Sequence, residues 1–240
     1  HRQFAQACMN RIPTIAAVTI LMGLAAGCQE KLQVKSPSMQ SLAREHLDQA
    51  ITEVRKGRLA KAAKLLDEAI MADPGNADAH NNKGNVLMAS GKYREAIISY
   101  TRAIELSGGQ ELILFNRGYA YLLMGDKKKA LKDFNYVIEQ NPDHLQSLSF
   151  RGQLRLQSAD FEGAISDFSH VLALRPDDGA AYASRGVSRA SLDRKVAALE
   201  DFTKAEAIFR KSGDDDNLSK LMEARSALKL PIKLNNPALN

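Results

Sequence analysis

Five small residues, Ala50, Gly84, Gly118, Gly152 and Gly186, stand 34 positions apart with no insertion between them. A spacing held through four intervals means a chain of equivalent units, each adding one layer to a shared core. The same interval separates Ala62, Ala96, Ala130, Ala164 and Ala198. It also separates the bulky residues Leu66, Tyr100, Phe134, Phe168 and Phe202, and the smaller Ala69, Ala103, Val137, Val171 and Ala205. Each unit has room for two helices of roughly three to four turns. Small columns let the helices approach closely, and the bulky column fills the space between them. "SGK" at 90–92 and "MGD" at 124–126 read as turns inside a unit, while Pro74, Pro142 and Pro176 stop the second helix of three units. The apolar share of 45% contains no Trp and few aromatics, which favours helices over sheet.

A polar ladder runs in the same register. Arg117, Arg151 and Arg185 are 34 apart, and Asp133, Asp167 and Asp201 each follow 16 residues later on the second helix. Unit two has Lys83 and Ser99 at these places, and unit one has Gln49 and Leu65. A stripe that recognises an external anion needs no acid in step with each arginine. A bidentate arginine–carboxylate link between paired helices does, so the six residues are expected to be structural pairs.

The units span residues 41–212. Beyond them, Gly213 and Asp214–Asp216 lead into a helix with Leu218, Leu221, Met222 and Leu228 on one face, so residues 213–240 are expected to be a capping helix and tail. The acids suit a helix N-terminus. Lys127, Lys128 and Lys129 read as a solvated helix start, with a docking role left open.

These columns resemble the tetratricopeptide repeat family. The resemblance implies an all-α, right-handed superhelical solenoid of five helix pairs plus a C-terminal cap, whose first helices line a concave groove that binds a peptide or extended protein segment. Carried onto this chain, the groove residues are Asn81 and Asn85 in unit two, Phe115, Asn116, Tyr119 and Leu122 in unit three, and Ser149, Gln153 and Gln157 in unit four. Amides can orient an extended backbone, and aromatics can receive an apolar anchor or simply pack. Asn81, Asn85 and Asn116 match part of the carboxylate clamp of some family members. Gln146 and Phe150 stand where those members carry basic residues, which argues against a chaperone-tail clamp. Gly108-Gly109 replaces the closing proline between units two and three, and a softer joint is expected there.

Residues 9–28 pair a basic Arg11 with an apolar run ending in small residues and a cysteine. "LAAGC", Leu24 to Cys28, resembles a bacterial lipobox, with Ala25 where a branched aliphatic is usual. The resemblance implies a signal peptide over 1–27 with Met9 as its start, lipidation of Cys28, and a tether over 28–40 in which Ser36 or Ser38 caps the first helix. Gln29 in place of a retention Asp points to the outer membrane, facing the periplasm.

The net charge is +5, and a chain beginning at Cys28 loses only Arg2 and Arg11, which argues against a nucleic-acid partner. His46, His80, His144 and His170 lack metal-ligand spacing, so neither metal nor cofactor is expected. "SALK" at 226–229 matches a Ser-x-x-Lys nucleophile pattern without its companion motifs. The expected function is a non-catalytic, lipid-anchored scaffold that binds a protein or peptide partner during envelope assembly, secretion or wall turnover. A homotypic assembly module that forms homo-oligomers and an accessory domain with weak hydrolase activity stay open.

Overall fold

The computed structural model describes residues 38–229. The expected signal peptide, Cys28 and most of the tether lie outside the described residues, as does the tail after Lys229. Contacts divide the chain after Ser41. In the N-terminal part, Ser38 Oγ accepts from the Ser41 backbone N–H at 3.1 Å, the capping role expected of Ser36 or Ser38.

The described residues form eleven helices and no strand. First helices of the five units are α1 (Met39–Arg55), α3 (Ala77–Ala89), α5 (Glu111–Leu123), α7 (Leu145–Gln157) and α9 (Gly179–Ser191). Their antiparallel second helices are α2 (Leu59–Ala72), α4 (Tyr93–Ser107), α6 (Lys127–Gln140), α8 (Phe161–Leu174) and α10 (Lys195–Ser212), and α11 (Asp215–Ala227) follows as the cap. From α3 onward each helix packs on the next, and first helices also touch first helices: α3 meets α5, α7 meets α9, and α9 meets α11. This is a tetratricopeptide-type solenoid.

The glycine column exists because of the aromatic column. A Cβ on Gly84 would lie 2.5 Å from the Tyr100 ring, and one on Gly152 or Gly186 would lie 3.0 Å from Phe168 or Phe202. Tyr100, Phe134 and Phe202 are fully buried. Each such ring contributes about 2–3 kcal/mol of burial, available only while the facing helix stays this close.

Unit ends follow two patterns. α2, α6 and α8 stop at Asp73, Asn141 and Arg175, with φ of −141°, −136° and −136°, the extended backbone imposed on a residue before proline. α4 instead ends on left-handed Gly108, φ 76°, followed by Gly109 at φ 89°. Inside units four and five, Ala159 (φ 61°) and Asp193 (φ 57°) occupy the left-handed turn position that Gly125 fills in unit three.

Asp214 caps α11 by accepting from the Asn217 backbone N–H at 3.1 Å. Leu221 is buried, and Leu218 and Leu228 pack with it against Phe202, Ala205 and Phe209, covering the last open layer of core. Arg225, 5% exposed, reaches Glu206 of α10 at 3.3 Å.

Candidate protein-binding site

The ladder links three helices at each step. Arg117 places Nε and Nη2 at 2.8 Å from the two carboxylate oxygens of Asp133 and sends Nη1 back to Thr101 Oγ1 of the preceding unit at 3.2 Å. Arg151 does the same between Asp167 and Asn135, and Arg185 between Asp201 and Ser169. Thr101, Asn135 and Ser169 are themselves 34 apart, so each arginine joins its own second helix to the one before it. The Asp133 carboxylate holds the Arg117 guanidinium more firmly protonated than usual, against the cost of burial.

Two features were not read from the sequence. Arg155 and Arg189, four residues after the ladder arginines of units four and five, each place Nη1 at 2.8 Å from the same carboxylates, so Asp167 and Asp201 are gripped from two sides. The signal was visible in "RGQLR" and "RGVSR". In unit two, Lys83 Nζ lies 2.5 Å from Asp67 of unit one, so that step keeps the backward link and drops the forward one.

On the first-helix face, the nine expected groove residues separate into several environments. Asn85 Oδ1 accepts from Tyr100 Oη at 2.7 Å and from Asn116 Nδ2 at 3.3 Å, which ties both amides to the fold. Burial pushes the Tyr100 phenol pKa well up, so it remains a donor. Asn81 Oδ1 is buried without a hydrogen-bond partner among the described residues. Phe115 and Leu122 pack against the core cluster of Ala130, Phe134 and Leu154, and the Phe115 ring lies 5.1 Å from His144 and 6.0 Å from Phe150. Tyr119 meets Phe150 at 5.3 Å. Unit three thus commits its aromatics to its own layer and the next. Ser149 Oγ donates to the Leu145 carbonyl within its helix, and Gln153 and Gln157 are exposed.

Gln153 opens onto a trough further along the chain. A cavity of about 350 Å3 lies between α7, α9 and α11. Leu156, Ala180, Ala183 and Val187 form its apolar walls, Phe202 and Phe209 of α10 contribute behind them, and Gln153, Ser184, Asn217 and Lys220 supply polar groups. Small residues on α9 leave the space open. The trough can take a bulky apolar side chain while amide and hydroxyl groups bond the backbone carrying it, and Lys220 is its one ionic group. Among the described residues, no cluster of three His, Cys, Asp or Glu side chains could hold a metal.

Profiles described as tetratricopeptide repeat match residues 47–111, 112–144 and 151–214. Solved structures share the fold. A tetratricopeptide repeat protein from Parabacteroides merdae is 27% identical, with a TM-score of 0.63 over 78% of this chain and 72% of that one. YrrB, described as a TPR protein with an unusual peptide-binding site, is 23% identical, with a TM-score of 0.67 over 78% of this chain and 92% of its own. MamA of Desulfovibrio magneticus RS-1 is 19% identical, with a TM-score of 0.67 over 72% and 98%. Among curated proteins, none matches the chain.

Proposed function

Because this chain belongs to the tetratricopeptide repeat family, we propose that it is a non-catalytic scaffold that holds a protein partner by a peptide segment seated between α7, α9 and α11. One observation carries the reading. The first-helix face is filled by its own aromatics in unit three, yet it opens at Gln153, Ser184 and Val187 into a cavity with apolar walls and a polar rim. Peptide binding by YrrB, a protein of the same fold, is consistent with it.

A photocrosslinking side chain at Ser184, with Ser166 on the exposed face of α8 as the control, tests partner and face together. Adducts specific to position 184, lost when Val187→Trp fills the trough, are expected. Equal adducts from both positions would remove the site.

The leader and "LAAGC" support the further proposal that the scaffold works from the bacterial envelope, anchored through Cys28 to the outer membrane and serving envelope assembly, secretion or wall turnover. Metabolic labelling with a clickable fatty acid should mark the native protein and leave Cys28→Ala unlabelled. Persistent labelling of that variant would end the anchor proposal.

A further inference from the structure

A second cavity, of about 550 Å3, lies on the other side of the layer, among the second helices of units two and three. Ile104 of α4, Gly108 and Gly109 just after that helix, Leu114 of α5, and Tyr136 of α6 supply its apolar surface. Arg117 and Asp133 also line it, but each already has the other. Its size is within the range of ligand pockets.

The repeat itself shows why this place is open. One unit later, Gly108, Gly109 and Tyr136 become Pro142, Asp143 and His170, and His170 Nε2 meets Asp143 Oδ1 at 2.7 Å across the equivalent gap. Between units two and three no such closure can form, because Gly109 has no side chain. A Cβ built there would lie 3.8 Å from the Tyr136 hydroxyl, which has no hydrogen bond among the described residues, and Tyr136 is 42% exposed.

Lys132 and Glu139, both on α6 and both lining the cavity, carry the remaining charge, and neither is in an ion pair among the described residues. They are seven residues apart, hence about 10.5 Å along the helix. An extended chain in the polyproline II form rises about 9.3 Å in three residues and completes one turn, so side chains three positions apart share a face at that spacing. Asn135 Oδ1 is taken by Arg151, which leaves its amide N–H2 free to bond a peptide carbonyl.

We propose that this cavity is a second binding site, one that takes an extended peptide segment with a bulky apolar side chain between an acidic and a basic residue three positions apart. The acid pairs with Lys132, the base with Glu139, and the apolar side chain enters between Tyr136, Leu114 and Ile104. This site does not depend on the trough at α7, α9 and α11.

The test uses the full chain in detergent micelles and two blocked peptides, acetyl-Glu-Phe-Ala-Lys-amide and acetyl-Lys-Phe-Ala-Lys-amide, followed by amide NMR. The mixed-charge peptide should shift Gly108, Gly109 and the amides of 132–139, bind about fivefold tighter than the doubly basic one, and be unaffected by Val187→Trp in the trough. Lys132→Glu should reverse the preference. The proposal is overturned if neither peptide binds up to about 10 mM, if the shifts fall on α7, α9 and α11, or if Lys132→Glu keeps the original preference.

Discussion

Units two and four occupy equivalent places in the repeat but use their polar residues differently. In unit four, Asp167 is buried between Arg151 and Arg155, Arg151 continues to Asn135, and the first-helix amide Gln153 is left exposed at the trough. In unit two Ser99 stands in place of the forward acid, the cation is Lys83 facing backward to Asp67, and Asn85, two units before Gln153 in the same column, is held by Tyr100 and Asn116. The fourth unit therefore concentrates its fastening between second helices and frees the opposite face. The second spends that face on holding itself together, so a single repeat pattern supports both a fastening layer and a binding layer.

The largest break in that comparison is at the 99/167 column. Asp167 is 2% exposed and Ser99 is 7% exposed, so burial is matched and only the chemistry differs. Asp167→Ala leaves two arginines without their carboxylate and should cost about 3–5 kcal/mol. Ser99→Ala removes only a hydroxyl bonded to the Glu95 carbonyl at 3.2 Å and should cost about 1 kcal/mol or less. Urea unfolding of the two variants reads this directly. Equal costs would mean that the doubled arginine grip adds nothing.

A smaller effect separates units three and four. Among the described residues, Asp133 has Arg117 as its one cationic partner, because Tyr121 stands in the column of Arg155. Arg117→Ala should therefore cost about 3 kcal/mol, whereas Arg151→Ala, which leaves Arg155 on Asp167, should cost about 1–2 kcal/mol. A cycle of Arg151→Ala with Arg155→Ala should be strongly non-additive, since the second loss strands the acid. Partner binding at low temperature should be nearly intact in Arg151→Ala. Lost binding with unchanged unfolding would turn the ladder into a recognition stripe.

The repeat, its helix pairs and the pairing of Arg117, Arg151 and Arg185 with acids 16 residues on were legible because each depends on a fixed spacing along the sequence, 34 between units and 16 within one. The backward links were not, because Thr101, Asn135 and Ser169 share only the ability to accept a hydrogen bond. Nor was the fate of Phe115 and Tyr119. Whether an aromatic on a first helix faces a ligand or Phe150 of the next unit depends on how far successive layers rotate, a quantity that no single position encodes. The trough illustrates the same limit from the other side. It arises from small residues, Ala180, Ala183 and Ser184, that draw attention only when Lys220 and Leu221 of the cap stand across from them.

The smallest expected effect concerns how the second helices begin. α6 and α8 start from Asp126 and Asp160, which accept from the backbone N–H three residues on, while α4 starts from Lys92 with no side-chain cap. The backbone is alike at the caps of α4 and α6: Lys92 has φ −89° and ψ 61°, and Asp126 has φ −81° and ψ 72°. Lys92→Asp should thus let unit two adopt the cap of its neighbours and gain the roughly 0.5–1 kcal/mol typical of such caps at pH 7. The sign with pH follows from Asp126. A hydrogen bond from the Lys129 side chain, and then one from its backbone N–H, hold that carboxyl below its ordinary value, and only the backbone bond carries over to position 92, where Glu95 stands in the place of Lys129. A lowered folded pKa stabilises fully above the unfolded value of about 4 and is lost as pH falls through the folded one. The gain from Lys92→Asp should therefore shrink in thermal melts below about pH 4, while Lys92→Asn, a cap without charge, should keep its gain there. A gain from Lys92→Asp that persists unchanged in acid would come from removing a cation from the positive end of α4, and the cap would not be its source.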